Sequence, residues 1–136
     1  MTISPLAIIA AAVASWIFGA LWFGLFGRPW AIGLGLMSAD APHQRGNPPI
    51  FALVFSLVSE LVIAAMLDGL LSFVAGPHFG MKLALVGAFF VWLGFIAPTI
   101  ATNYAYQKRP LAVYAVDLGH WLGVVLLQAA ILSLLA

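Results

Sequence analysis

The chain has 136 residues, 65% hydrophobic and 7% charged, with a net charge of +1 and a mean hydropathy of +1.14. Soluble domains carry ~25% charged residues and at this size must cover a large relative surface with polar groups, so a soluble enzyme and a disordered tail are excluded. No basic face is available for phosphates, which excludes a nucleic-acid binder, and the absence of cysteine removes disulfides, thiol chemistry and cysteine metal sites.

Four apolar stretches follow in order, at about Ile3 to Phe26, Ile50 to Val74, Met81 to Ala101 and Leu111 to Leu135. Each approaches the ~20 residues needed to cross a ~30 Å hydrocarbon core. Backbone groups there must be satisfied inside a helix or a closed barrel. Barrel strands alternate in polarity over ~10 residues, whereas these runs are apolar on every side. The sequence therefore predicts an all-α fold: a single membrane domain over 1–136, built as an integral membrane bundle of four transmembrane helices (spans 3–26, 50–74, 81–101 and 111–135).

Gly27, Arg28 and Pro29 are expected to end the first span, leaving Trp30 to Met37 as a short interfacial or re-entrant segment. Residues 38–49 (SADAPHQRGNPP) complete a polar link over 27–49. Gly76, Pro77, His78 and Phe79 join spans two and three. A second link over 102–110 ends at Pro110, which suits the first turn of a helix. Ala12-Val13-Ala14 resembles a signal cleavage site. No Lys or Arg precedes it and apolar sequence continues to Phe26, so the first span reads as retained. Arg28, Arg45, Lys108 and Arg109 fall on one side, against Lys82 on the other. Basic residues favour the cytoplasm, which puts both links inside and both termini outside. Arg-Pro-x-Ala-(Ile/Val) occurs at Arg28–Ile32 and at Arg109–Val113, as a faint two-helix repeat or as chance.

Charges near a bilayer centre cost ~2.5–3.5 kcal/mol or more and so require partners. The second span holds Glu60 and Asp68, and the fourth holds Asp117, His120 and Gln128. At 1.5 Å per residue, Glu60 lies ~15 Å along its span from Ile50, and His120 ~13 Å from Leu111. The two are expected at one level. Asp68, ~27 Å along, approaches the outer interface. Ser56, Glu60, Ala64 and Asp68 share a stripe, and Asp117 and His120 are close enough to touch. Thr99, Thr102 and Asn103 descend towards Asp117. The expected site is one cluster in the cytoplasmic half, made of Glu60, Asp117, His120, Asn103 and Thr99, with Gln128 on the same face.

Buried hydrogen bonds of this kind can simply fix helix register, at ~1 kcal/mol each. Intramembrane carboxylates beside a histidine also suit a proton or small-solute path. One His with two carboxylates could form a metal triad, but the Glu-x-x-His repeat of di-iron bundles is absent. Haem or quinone binding through His120 is the remaining redox reading. Ala11, Ser15 and Gly19, with Gly119 and Gly123, form small-residue faces that serve either packing within the chain or a homodimer seam. Trp22, Trp30, Tyr104 and Tyr106 are expected at the cytoplasmic interface, Trp92 and Trp121 in the core, and His43 and His78 in links. Phosphate loops, nucleophile elbows and H-E-x-x-H are missing. No cofactor, metal or enzyme activity is expected. The expected partners are the lipid bilayer and a second copy of the chain.

The stretch Ala20-Leu-Trp-Phe-Gly-Leu-Phe-Gly-Arg-Pro-Trp30 resembles the first-helix exit of a bacterial family of small four-helix membrane proteins of unknown function. Trp92-Leu-Gly-Phe-Ile-Ala-Pro-Thr99, followed by Asn103, Arg109-Pro110, Asp117, Gly119 and Trp121, is similar to the same family. The resemblance spans nearly the whole chain. It implies a four-span bundle in the bacterial inner (plasma) membrane, and no reaction. The functional expectation is a non-enzymatic protein that moves or senses a proton or small solute. An assembly subunit with a purely structural polar cluster is the alternative.

Overall fold

The computed structural model describes residues 4–40 and 47–136. The described residues are helical, with α1 over Pro5–Gly33, α2 over Ile50–Ala75, α3 over Met81–Val91, α4 over Ala97–Tyr106 and α5 over Leu111–Leu135. A π turn, Trp92–Ile96, joins α3 to α4, so Met81–Tyr106 forms one long helix. Four helices are thus long and apolar enough to cross a membrane. Their lipid-facing residues are large and apolar, among them Leu21, Phe51, Phe73 and Phe90. The chain is a multi-pass four-helix membrane protein.

Local chemistry sets the helix ends. Ser4 caps α1 by accepting the Ala7 N–H at 3.4 Å, ahead of Pro5. α1 does not stop at Gly27-Arg28-Pro29, and Trp30–Gly33 is helix rather than a re-entrant piece. Pro29 removes one backbone donor, but the last turn is held from outside. A Cβ on Gly33 would stand 2.5 Å from Val113 Cγ2, so α5 packs directly onto the α1 backbone there. The helix closes at Gly35, whose φ of 75° lets the Leu36 N–H reach the Ala31 carbonyl at 2.9 Å. Lys108, at φ 53°, closes α4 in the same way, with the Arg109 N–H on the Tyr104 carbonyl at 3.0 Å. The third span accordingly runs past Ala101 to Tyr106.

α5 is the hub and touches every other helix. α1 lies antiparallel between α2 and α5, and α3 packs on α5. The centre is made of small side chains, including Ala11, Ala12, Ala64, Ala88 and Ala129, all fully buried. Small residues let backbones approach in lipid, where no hydrophobic effect drives helices together. Three indole N–H groups then tie helix to helix. Trp16 donates to the Leu53 carbonyl at 3.2 Å and to Ser56 Oγ at 3.0 Å. Trp22 donates to the Val116 carbonyl at 3.0 Å, and Trp92 to the Leu118 carbonyl at 2.9 Å. Trp22 and Trp92 thus both anchor to α5.

Candidate functional site

The polar side chains do not form one cluster. They lie on three levels along the buried face of α5. Ten residues separate Ile50 from Glu60, whereas seventeen separate Leu111 from Gln128. Glu60 therefore meets Gln128 rather than His120. The levels inferred from sequence assumed that α2 and α5 start at equal depth. In fact α5 begins about two turns, ~10 Å, further towards the basic end, because its first turn packs on the extended end of α1.

The innermost level joins three helices. Ser15 of α1, Glu60 of α2 and Gln128 of α5 are at most 2% exposed. Ser15 Oγ lies 2.5 Å from Glu60 Oε2 and 3.1 Å from the Ala12 carbonyl. Gln128 Nε2 donates to Ser15 Oγ at 2.9 Å and to the Glu60 carbonyl at 3.1 Å. Gln128 Oε1 is buried with no donor. A hydroxyl has one proton, so Ser15 serves Glu60 or Ala12 but not both. The level therefore has more acceptors than donors. Among the described residues no Lys or Arg is buried, so no internal cation balances Glu60.

His120 forms the next level, 6% exposed and away from Glu60. Its ring stacks on Phe18 (centroids 6.1 Å, 5° between planes) and contacts Phe23 at 5.0 Å and Trp121 at 4.9 Å. Nδ1 has no partner. Nε2 lies against Gly19, 2.9 Å from where a Cβ would be, so only glycine fits opposite this ring. Phe18 also presses on Gly123, where a Cβ would stand 2.3 Å from its ring. That packed layer separates His120 from the Glu60 level.

The third level is Asp117, which accepts a hydrogen bond from the Tyr104 hydroxyl of α4. The Trp30 indole lies near Asp117, but its N–H makes no hydrogen bond of acceptable geometry. Asp68 lies beyond Glu60 on α2, 3% exposed, with Oδ1 buried and unpartnered.

Asn103 and Thr99 do not join the site. Both are exposed, and Thr99 Oγ1 turns back to the Phe95 carbonyl at 2.5 Å. The π turn rotates this part of the helix away from the interior. Ala11, Ser15, Gly19, Gly119 and Gly123 face into the chain: Gly119 packs on Trp22, Gly123 on Phe18 and Gly19 on His120. Among the described residues no group of three or more His, Asp or Glu is placed to hold a metal ion. His43 and Arg45 lie outside the described residues.

Sequence reasoning missed two participants. Ser15 read as a packing residue and is the centre of the innermost level, while Tyr104 read as an interfacial aromatic and is the donor to Asp117. For Tyr104 a signal existed, since a short link folds the end of α4 back beside the start of α5, within reach of Asp117. For Ser15 none did without the register of α1 on α5.

The family model described as "Protein of unknown function (DUF1761)" matches residues 6–133, and the chain belongs to that family. No curated protein and no solved structure matches it.

Proposed function

We propose that this protein is a non-enzymatic proton sensor of the bacterial inner membrane, with Glu60 as the group that takes up and releases the proton. The reading rests on one observation: the level formed by Ser15, Glu60 and Gln128 is buried, lacks a cation among the described residues and is short of a donor. A carboxylate isolated in such surroundings is costly. A proton added between Glu60 and Ser15 removes the charge and frees the Ser15 hydroxyl for the Ala12 carbonyl. Loss of that proton puts a charge where α1, α2 and α5 meet, and the separation of α2 from its neighbours would be the signal. The Phe18–Gly123 layer supports sensing over conduction, because it fills the route between Glu60 and His120. In this reading the termini face outwards and Arg28, Lys108 and Arg109 face the cytoplasm.

Infrared difference spectra in lipid, recorded between acidic and alkaline buffer, test the proposal. The expected result is a protonated carboxyl band that disappears with pH and is absent in Glu60→Gln. If Glu60→Gln leaves the spectrum unchanged, the proposal fails and the level is only a lock between helices.

A further inference from the structure

Asp68 is the buried carboxyl that the three levels leave unused. It is 3% exposed, and its Oδ1 is buried without a partner, so that oxygen ties no helix to another. Among the described residues, the charged or titratable side chains at this end of the bundle are His78 in the α2–α3 link and Lys82 in the first turn of α3, both exposed. The facing stretches of α1, from Pro5 to Ser15, and of α5, from Gln128 to Leu135, contain none. A carboxyl held in hydrocarbon on these terms is costly, and packing alone gives no reason for it.

Eight residues, ~12 Å, separate Asp68 from Glu60 along α2. Eight residues back from Ser15 along the antiparallel α1 is Ala7, two residues inside the helix start at Pro5. Asp68 therefore lies within a turn of the end of α1, remote from Arg28, Lys108 and Arg109, and Glu60 lies about two turns deeper. What fills the stretch between the two carboxyls is small: Ala11 and Ala12 of α1 and Ala64 of α2, all fully buried. The opposite direction is closed by the rings of Phe18, Phe23, His120 and Trp121. Ser56, one turn from Glu60 on that side, is already bonded to the Leu53 carbonyl at 2.8 Å and to the Trp16 indole at 3.0 Å.

We propose that Asp68 is the relay through which Glu60 exchanges its proton, so that Glu60 reads the pH at the end of the bundle away from the basic links. The inference rests on Glu60 as the proton-binding group and adds the route and the side. Asp68 takes a proton from bulk water. Its O–H bond then breaks as the proton passes along water drawn in past the alanine methyls, and a new O–H bond forms on the Glu60 carboxylate. Asp68 is left as a carboxylate, ready for the next proton. Passing water beside methyl groups displaces far less than moving four packed rings, and that difference sets the side.

Time-resolved infrared spectra in nanodiscs after a caged-proton pH jump test this. Asp68→Asn should slow the rise of the Glu60 carboxyl band about tenfold or more, with its final amplitude unchanged. Sodium azide, a small diffusible base and acid, should restore the rate, and so should Asp68→Glu. Asp117→Asn, beyond the aromatic layer, should stay within about twofold of wild type. An unslowed rise in Asp68→Asn, or a slowing that azide does not reverse, overturns the relay. If Asp68→Asn does not fold, sidedness decides. In liposomes sorted for orientation by biotin on His78→Cys, acidifying the side that carries this cysteine should raise the band, and a response to the other side overturns the inference. A band absent at equilibrium refutes Glu60 as the proton-binding group and the relay with it, whereas full amplitude with an unslowed rise refutes the relay alone.

Discussion

Ser15→Ala removes one oxygen from the middle of the bundle and nothing else. That oxygen has interhelical partners at 2.5 Å on Glu60 and 2.9 Å on Gln128. Interhelical hydrogen bonds in membranes average ~0.6 kcal/mol and reach ~1.7 kcal/mol, so losing two should cost about 1–3 kcal/mol. Ser59→Ala is the matched control. Its hydroxyl bonds only to the Phe55 carbonyl of its own helix, at 2.9 Å, and alanine favours helix by a few tenths of a kcal/mol (~0.5 at most). Ser59→Ala should therefore be neutral or slightly stabilising. Reversible unfolding in mixed micelles, followed by circular dichroism, measures both. A double-mutant cycle of Ser15→Ala with Gln128→Leu should give a coupling of ~0.6–1.7 kcal/mol. Equal effects at Ser15 and Ser59, or zero coupling, would refute the three-helix network.

Three further outcomes follow from the same packing. Glu60→Gln should keep or raise stability, because an amide adds N–H donors to a level short of them; Glu60→Ala should cost about 2 kcal/mol or more by leaving a cavity, as measured by thermal unfolding. Gly123→Ala drives a Cβ to 2.3 Å from Phe18, so the ring must retreat roughly 1.2 Å to reach ~3.5 Å. Overpacking of ~1–3 kcal/mol then outweighs the ~1 kcal/mol of helix propensity, whereas Gly24→Ala meets open space and should stabilise, so the melting temperatures of the two variants should move in opposite directions. Trp92→Phe deletes the indole bond to Leu118 and should lower stability by ~1 kcal/mol, with faster hydrogen exchange in the Trp92–Ile96 turn.

The membrane character and the four spans were legible in the sequence because lipid imposes length and apolarity directly, residue by residue. The burial of Glu60, Asp117, His120 and Gln128 was legible for the same reason: such groups avoid hydrocarbon. Their pairing was not. It depends on how far α5 slides along α2, which is fixed by Gly33 meeting Val113 and by indole bonds such as Trp22 to Val116. These are contacts between single atoms on distant parts of the chain, and depth counted from each span's start does not contain them. For Thr99 and Asn103 the depth was legible but not the facing: counting along the third span does not say which way a side chain points, and beyond the π turn both are exposed. Pro29 misled in the opposite sense, since tertiary packing carries the helix through it.

The hub position of α5 bears on how the protein is made. Glu60 enters the bilayer with α2, while its partner Gln128 is still unsynthesised. About sixty residues separate the end of α2 from the end of α5, which at ~5–20 residues per second amounts to roughly 3–12 s of translation. During that interval an acidic side chain waits in a half-assembled hairpin with only Ser15 for company.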